Sequence, residues 1–254
     1  MTFILPALEG TVFAFTLTFA RAGAMIMLLP VIGDIGVPAR VRLAFALAVS
    51  AALAPTVAHF YPATAPAPVA LAFLVMRETI VGIMVGTMAR LIMSALDVAG
   101  TLIANQTGLA FAQTFNPSLS ASTTVVSTFL SLLGAMLVFE SNLHHLAIGA
   151  IRGSYDLMPP DGALMTADMV ELAVRMVSGS FALGLQLAAP FVLLGFLIYV
   201  ALGLISRLMP QMQAFFLAMP INILTGFVLL NLFLGVMTTT FLEFFATNMA
   251  IFNP

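Results

Sequence analysis

Apolar residues occur in long runs along this chain, and polar residues are confined to short stretches between them. A helix needs about 20 apolar residues to cross the roughly 30 Å hydrocarbon core of a bilayer. Six runs approach or exceed that length: Thr11–Leu29, Leu43–His59, Leu71–Ala104, Ser122–Ile151, Met169–Ile205 and Ala214–Ala246. Strands of a membrane β-barrel alternate polar and apolar residues, and this chain has no sustained alternation of that kind. The pattern predicts an all-α, integral-membrane type protein of about six long apolar segments, some of them kinked or folded into hairpins.

The composition agrees with this prediction. Of the 254 residues, 62% are apolar and only 7% are charged, and the mean hydropathy is +1.15. A soluble domain has about a quarter of its residues charged, because charged side chains cover the water-exposed surface. The most polar segment, residues 152–171, is too short for a soluble domain. We therefore predict a single membrane domain over residues 1–254.

Missing residue types exclude several kinds of chemistry. All eight basic residues are arginine, and the chain has no cysteine. Without lysine there is neither a P-loop nor a lysine Schiff base, and without cysteine there is no disulfide, thiolate nucleophile or Cys-ligated metal. The scattered arginines form no basic stripe, so we do not expect nucleic acid as a partner. The first twenty residues contain Glu9 and no basic region, so we do not expect a cleaved signal peptide.

The positions of the arginines predict an orientation in the membrane. Arg40 and Arg42 lie between the first two runs, and Arg207 lies between the last two. Arginine-rich loops are retained on the cytoplasmic side. We therefore expect these loops to be cytoplasmic, with the acidic residues 152–168 and both termini on the other side.

The third run has a polar face. At 100° per residue its small and polar positions share an arc of about 120°: Thr79, Gly82, Gly86, Arg90, Ser94, Asp97 and Thr101. Gly82 and Gly86 have the spacing that lets a second helix approach closely. A charge at the centre of a lipid-embedded helix costs about 2.5–3.5 kcal/mol, so Arg90 and Asp97 should face protein or water. Two interpretations stay open, a polar contact between subunits and a buried ion pair within the chain.

The fourth run begins with a row of small and hydroxyl residues, Ser120, Thr124, Ser127, Ser131 and Gly134. Such a row is typical of helix–helix contact, and a water-lined path is the less favoured alternative. Farther along, Glu140 and His144 are four residues apart. On one helix they would be within reach of each other, which favours a structural pair over a metal site.

The segment between the third and fourth runs is uncharged. Gln106–Asn116 contains amides, hydroxyls, Gly108, Phe111 and Phe115, and no charged residue occurs from Val98 to Phe139. Non-helical backbone at membrane depth is tolerated only where it is buried in protein or lines a cavity. We predict a re-entrant loop or plug here, with an ordinary neutral turn as the alternative.

The order of short motifs along the whole chain resembles one family. The N-terminal part has Arg21-Ala22-Gly23-Ala24-Met25, Leu29-Pro30, Gly33, Val37-Pro38, Arg40, Arg42 and Pro55. The centre has Arg77-Glu78, Gly82, Gly86, Ala99-Gly100 and Asn105-Gln106-Thr107-Gly108. The C-terminal part has Arg207-Leu208-Met209-Pro210-Gln211, Phe215, Pro220 and Gly226. Together these motifs resemble the FliR/SctT family of type III secretion export-gate proteins, although Gln213 stands where that family is expected to have Asn.

The resemblance implies an architecture similar to a fusion of FliP and FliQ. It further implies a hetero-oligomeric gate with FliP and FliQ, on which FlhB docks, in the inner membrane at the flagellar basal body. Such a gate passes unfolded flagellar subunits and has no active site, cofactor or metal. The resemblance also implies that the assembled helices sit largely above the bilayer plane, around a central pore.

The resemblance assigns roles to particular residues. The plug loop would be Gln106–Asn116, with Gln106, Gly108, Phe111, Gln113, Phe115 and Asn116 as its candidate residues. Arg207, Pro210 and Gln211 would shape a loop near the cytoplasmic entrance. Polar contacts satisfied by other helices or subunits would involve Arg21, Arg77, Glu78, Gly82, Gly86, Arg90 and Asp97.

Other functions are compatible with parts of the pattern. An injectisome subunit of the same family would share the motifs. An ion-coupled secondary transporter would also place charges inside the membrane, but the chain has no convincing pair of matching half-repeats. A purely structural membrane scaffold is the third alternative.

Overall fold

The computed structural model describes residues 4–34, 36–62, 66–111, 124–162, 166–208 and 214–253. Over these ranges the protein is all α, without a strand, which confirms the predicted fold class. The helices in the described ranges are α1 (Ile4–Leu28), α2 (Ala39–Val57), α3 (Pro68–Thr107), α4 (Val125–Glu140), α5 (Leu143–Leu157), α6 (Thr166–Leu208) and α7 (Ala214–Ala250). Short 3₁₀ turns follow α2 at Ala58–Phe60 and α3 at Leu109–Phe111.

Most of the predicted runs correspond to helices long enough to cross a membrane. In the described part of the chain five helices meet that requirement by length and composition, and α4 with α5 brings the number to six if the two form one broken span. The helices α6 and α7 continue through Pro190 and Pro220. Helix-interior prolines are tolerated in membrane helices because neighbouring groups satisfy the freed backbone carbonyls.

The fourth run differs from the prediction. Helix α4 ends at Glu140, α5 begins at Leu143, and the two helices meet at an angle of 77°. Asn142 adopts a left-handed conformation with φ 59° at this break, which asparagine accepts more readily than most residues. Glu140 and His144 therefore do not lie on one helix as the prediction assumed, and their pairing stays a prediction.

The chain divides into two compact units that interleave in sequence. The first contains Met1–Ile92, Ser141–Met176 and Ala246–Pro254. The second contains Met93–Glu140 and Val177–Phe245. The single membrane domain over residues 1–254 stays a prediction.

In the first unit, α1 packs along α2 and both contact α5. The buried cluster here is partly aromatic and comprises Phe13, Ala14, Leu17, Val57, Tyr61 and Tyr155. Helix α3 lies against α1 at two glycines. A methyl group at Gly82 would overlap the backbone oxygen of Arg21, and one at Gly86 would come within 2.8 Å of the Met25 backbone oxygen. Gly82 and Gly86 therefore allow α3 to pack closely against α1 of the same chain.

In the second unit, the C-terminal part of α3 packs against α4, α6 and α7 through small residues. Gly100 of α3 abuts the backbone of Ser127 on α4. Gly184 of α6 abuts Val98 and the backbone oxygen of Ala95, with a methyl group there placed 2.8–2.9 Å from both. Because helices approach this closely only at small side chains, these glycines fix which faces of the helices meet.

Candidate functional site

The first unit encloses a buried ion pair. Arg21 on α1 donates from Nε to Glu78 Oε2 at 2.7 Å and from Nη2 to Glu78 Oε1 at 2.9 Å. The side chains are 1% and 0% exposed. Two parallel bonds of this kind match the planar guanidinium to the carboxylate and are shorter and stronger than neutral hydrogen bonds. The pair fastens α1 to α3 beside the contact at Gly82.

Every N–H group of Arg21 has an acceptor. Nη1 donates to the backbone oxygen and the hydroxyl of Ser154 at 3.0 and 3.2 Å, and Nη2 also donates to the backbone oxygen of Met158 at 2.9 Å. The guanidinium carbon lies 3.9 Å from the centre of the Tyr155 ring, a cation–π distance. A buried charge is tolerated when it is paired and its donors are satisfied, and Arg21 meets both conditions.

Two tyrosines complete this cluster. The Tyr61 hydroxyl donates to Glu78 Oε2 at 2.9 Å, and its oxygen lies 3.0 Å from the Tyr155 hydroxyl. Burial, with smaller contributions from Tyr155 and the Glu78 carboxylate, raises the pKa of Tyr61 far above its usual value of 10.0. Tyr61 therefore stays protonated and remains a hydrogen-bond donor to Glu78. The cluster as a whole is neutral and joins α1, α3, α5 and the turn after α2.

Arg77 is next to Glu78 but has a different partner. Its Nη2 donates to the backbone oxygen of Pro159 at 2.7 Å. Pro159 follows α5, as does Met158, whose backbone oxygen Arg21 binds. Arg77 thus binds the chain after α5 directly, and Glu78 does so through Arg21. Of the predicted polar residues, Arg21 and Glu78 pair with each other, and Arg77 binds the chain just after α5.

Arg90 and Asp97, predicted on one polar face of α3, have separate partners. Arg90 lies 3.7 Å from Asp34, with side chains 55% and 58% exposed. Asp97 accepts hydrogen bonds from the hydroxyls of Ser127 and Ser131 on α4. Neither arrangement is a buried ion pair within the chain, so a contact of Arg90 or Asp97 with another subunit stays a prediction.

The hydroxyl row of the fourth run lies where α4 meets α3. In addition to the serine bonds to Asp97, Thr124 donates to the backbone oxygen of Gly100 at 3.4 Å. A methyl group at Gly134 would overlap the side chain of Leu96. The predicted helix–helix contact is confirmed for these residues, whereas Ser120 lies outside the described ranges.

The start of the predicted plug segment is held by two glycines of the second unit. A methyl group at Gly195 of α6 would overlap the amide oxygen of Gln106, and one at Gly226 of α7 would overlap the side chain of Thr107. Helix α3 ends at Thr107, and Gly108 has φ 77°. This left-handed backbone is open to glycine and resisted by β-branched residues. The segment therefore leaves α3 at a turn whose position the second unit fixes.

Several predicted residues lie beyond what the structure describes. Gln113, Phe115, Asn116, Pro210 and Gln211 are outside the described ranges, and of Phe111 only the backbone, in a 3₁₀ turn, is described. Arg207 is exposed in the last turn of α6, where its positive charge suits the helix C-terminus. The roles predicted for the plug loop and the cytoplasmic-side loop stay predictions.

Three members of the buried cluster were not predicted from the sequence. Tyr61, Ser154 and Tyr155 were not singled out, because a lone tyrosine or serine carries no signal of its own in an apolar chain. The available signal was the scarcity of tyrosine, with only three in 254 residues. Among the described residues, no group of three or more His, Asp and Glu side chains is arranged to hold a metal ion.

Comparison with known proteins gives a consistent result. The family model described as bacterial export proteins, family 1, matches residues 12–248. The chain is similar to the flagellar biosynthetic protein FliR of Caulobacter vibrioides, at 45% identity over 88% of this chain and 89% of that protein. It is 28% identical to FliR of Escherichia coli over 81% of this chain and 78% of that protein. It is also 30% identical to the Yop proteins translocation protein T of Yersinia pestis over 65% of this chain and 66% of that protein.

Proposed function

Because the chain belongs to the bacterial export protein family 1, we propose that it is a subunit of the flagellar type III export gate in the bacterial inner membrane. With FliP and FliQ homologues it forms the pore through which unfolded flagellar subunits cross that membrane. An FlhB homologue docks on the assembled gate at the flagellar basal body. The observation that carries the proposal is the family match over nearly the whole chain, in which the most similar relative named above is flagellar.

The exposed surface supports assembly with other subunits. Helix α6 exposes large apolar side chains along most of its length, for example Val170, Phe181, Phe196 and Leu204, and α7 exposes Leu224 and Leu232. Apolar surface of this extent is covered by lipid or by protein. In the proposed gate, FliP and FliQ homologues cover much of it.

The uncharged segment Gln106–Asn116 acts as the plug in this proposal. A seal has to exclude ions and still yield to a passing chain. Neutral amides and phenylalanines pack without the high desolvation cost of burying charge. The glycines that hold Gln106 and Thr107, and the turn at Gly108, give the segment a fixed point of attachment at the end of α3.

An injectisome export apparatus is the second candidate function, because the Yersinia relative belongs to a Yop translocation system by name. The two uses require different substrates and neighbouring machinery. Complementation separates them. We expect the gene to restore motility to a flagellar export-gate deletion and to leave secretion by an injectisome deletion unrestored.

The buried charges of the first unit argue against an ion-coupled transporter. A transporter binds and releases its coupling ion at intramembrane charges. Arg21 and Glu78 neutralise each other, and every donor of Arg21 is occupied by the protein. This pair therefore has no free group with which to bind a coupling ion.

Co-purification tests the proposed function. The tagged chain is expressed with the FliP and FliQ homologues of the same genome, extracted in mild detergent and analysed by mass spectrometry. We expect one monodisperse assembly that contains all three proteins, and we expect the chain expressed alone to aggregate or to be degraded. A stable, monodisperse monomer that recovers neither partner would contradict the proposal.

A further inference from the structure

Asp97 is a charged residue on an exposed part of an apolar helix. It lies in α3, within the candidate span Pro68–Thr107, and its side chain is exposed. Ionisable residues inside such spans face protein or water, and they pair with an opposite charge or with backbone groups. The position of Asp97 therefore calls for a partner that neutralises the carboxylate.

The chain itself orients the Asp97 carboxylate. The hydroxyls of Ser127, at 3.1 Å, and Ser131 both donate to Oδ1. The α4 backbone comes close enough for this because Gly100 of α3 has no side chain where it meets Ser127. Since both bonds go to one oxygen, Oδ2 accepts no hydrogen bond from any residue the structure describes. The result is a fixed carboxylate with one acceptor oxygen open.

The second unit contains almost no basic residue that could neutralise Asp97. Across residues 93–140 and 177–245 the sequence has no lysine or histidine and one arginine, Arg207. The ion pairs among the described residues do not include Asp97. Arg90, seven residues earlier on the same helix, forms an exposed ion pair with Asp34.

The surface next to Asp97 has the composition of a helix-packing surface. Thr101 and Asn105 follow Asp97 at intervals of four residues, so they continue one side of α3, and Asn105 is exposed. On α4, Ser131 lies beside them and donates to Asp97. Hydroxyl and amide side chains on apolar helices are typical of contacts between membrane helices. We call this surface, comprising Asp97, Thr101, Asn105 and Ser131, the α3/α4 surface.

We propose that a helix of a partner subunit packs on the α3/α4 surface and donates a hydrogen bond from an arginine or lysine to Asp97 Oδ2. The inference rests on the proposed function, because it requires that the chain assembles with other subunits. Charge complementarity selects the occupant. The two hydroxyls that bond to Asp97 carry no opposite charge, and a charge-assisted bond from one basic side chain supplies it.

Removing the charge of Asp97 is the first test. Asp97→Asn preserves size and can still accept from the two serines, and it is expected to lower recovery of the partner subunits at least about tenfold, as loss of one member of a desolvated charge pair does. Asp156→Asn is the matched control, since it removes one carboxylate charge from the exposed pair Arg152–Asp156 and leaves the α3/α4 surface unchanged. We expect the control to assemble nearly as the unaltered chain does, with equal membrane levels of both variants measured by immunoblot.

Crosslinking identifies the partner residue. The chain has no cysteine, so Thr101→Cys carries a thiol-reactive photo-crosslinker at a single site one turn from Asp97. Mass spectrometry of the illuminated gate is expected to find a partner peptide with arginine or lysine within one helical turn of the crosslink. Exchanging the charges, with Asp97→Arg here and aspartate at that partner position, should restore assembly.

The outcomes separate this inference from the proposed function. If the unaltered chain recovers no FliP or FliQ homologue, the proposed function fails together with the inference. If the unaltered chain assembles and Asp97→Asn assembles equally well, the inference alone fails. Crosslinks exclusively to lipid or to exported protein also overturn it, because Asp97 would then face the bilayer or the pore.

Discussion

Arg21 and Glu78, 57 residues apart in the sequence, form a two-bond ion pair sealed inside the first unit. The pair lies where α3 approaches α1 at Gly82, so the charged contact and the close backbone contact reinforce each other. A closer helix approach shortens the bonds, and the bonds hold the helices at that approach.

Breaking this pair should strongly destabilise the first unit. We expect Glu78→Gln or Arg21→Met to cost about 3–5 kcal/mol, because the remaining charge stays buried without its partner. The double substitution should cost less than the sum of the two. Thermal denaturation of the chain in detergent, analysed as a double-mutant cycle, measures both effects.

The exposed pair Arg152–Asp156 is the control for that experiment. Its atoms are 2.6 Å apart, and both side chains are about half exposed. Arg152→Ala should cost at most about 1 kcal/mol, since surface ion pairs contribute little. Equal losses for Arg21→Met and Arg152→Ala would contradict the role assigned to the buried pair.

Adding one methyl group at Gly82 should force α1 and α3 apart. Gly82→Ala places a carbon against the backbone oxygen of Arg21, which cannot move without the helix, and we expect a loss of about 1–3 kcal/mol as in other overpacked cores. Gly235→Ala on α7 is the matched control, because nothing lies within 4 Å of the added carbon. There we expect no loss or a gain of about 0.5–1 kcal/mol from the better helix former. Equal melting temperatures for the two variants would show that the close contact of α3 with α1 does not depend on Gly82.

The turn at Gly108 should be sensitive to backbone preference and insensitive to side-chain size. Nothing lies within 4 Å of a carbon added there, so any effect of Gly108→Val comes from its resistance to φ 77°, which costs about 1–2 kcal/mol. We expect Gly108→Val to slow secretion of a flagellar subunit in gates that still assemble. Gly108→Asn should be milder because asparagine tolerates this conformation. Equal secretion rates for the two variants would show that the turn has no part in opening.

Shortening the plug segment should open a leak. Deleting Leu109–Phe115 should raise the permeability of cells that express the whole gate to ions or small solutes, because the seal is removed and the helices remain. Replacing Phe111 and Phe115 together by Ala should have a weaker effect, since it reduces apolar packing and keeps the backbone. Solute leak is measured beside a pull-down that verifies assembly. An assembled deletion variant that stays tight to ions would leave this segment an ordinary turn.

Arg90 tests whether the exposed part of the polar face of α3 contacts another subunit. Among the described residues its ion-pair partner is the exposed Asp34. Asp34→Asn, which removes that pair, should change stability by at most about 1 kcal/mol. Arg90→Leu should also leave membrane insertion intact but reduce the yield of the assembled gate. Co-purification of the two variants side by side measures the difference. If Arg90→Leu assembles normally, the Arg90 side chain of the unaltered protein lies in solvent or among lipid headgroups.

The sequence by itself determined the class of this protein and the approximate course of its helices. Long apolar runs and few charges allow little other than membrane-type helices, because only such helices satisfy their own backbone groups in lipid. The spacing of Gly82 and Gly86 also predicted a close helix contact. The sequence marks the break after Glu140 by a short polar stretch, Glu140-Ser141-Asn142 and His144-His145. It does not show that the chain turns there, because the left-handed turn at Asn142 is one residue long.

Only the tertiary structure decided which groups meet. Helical periodicity says which residues share a face, but it does not say which other face they pack against. Arg21 could have paired with any acid of this chain or another, and its choice of Glu78 depends on α1, α3 and α5 converging at one place. The contacts of Asp97 were likewise beyond what helical periodicity predicts. Its position on α3 followed from the sequence, whereas the two serines that hold Oδ1 and leave Oδ2 open became visible only once α4 was packed against it.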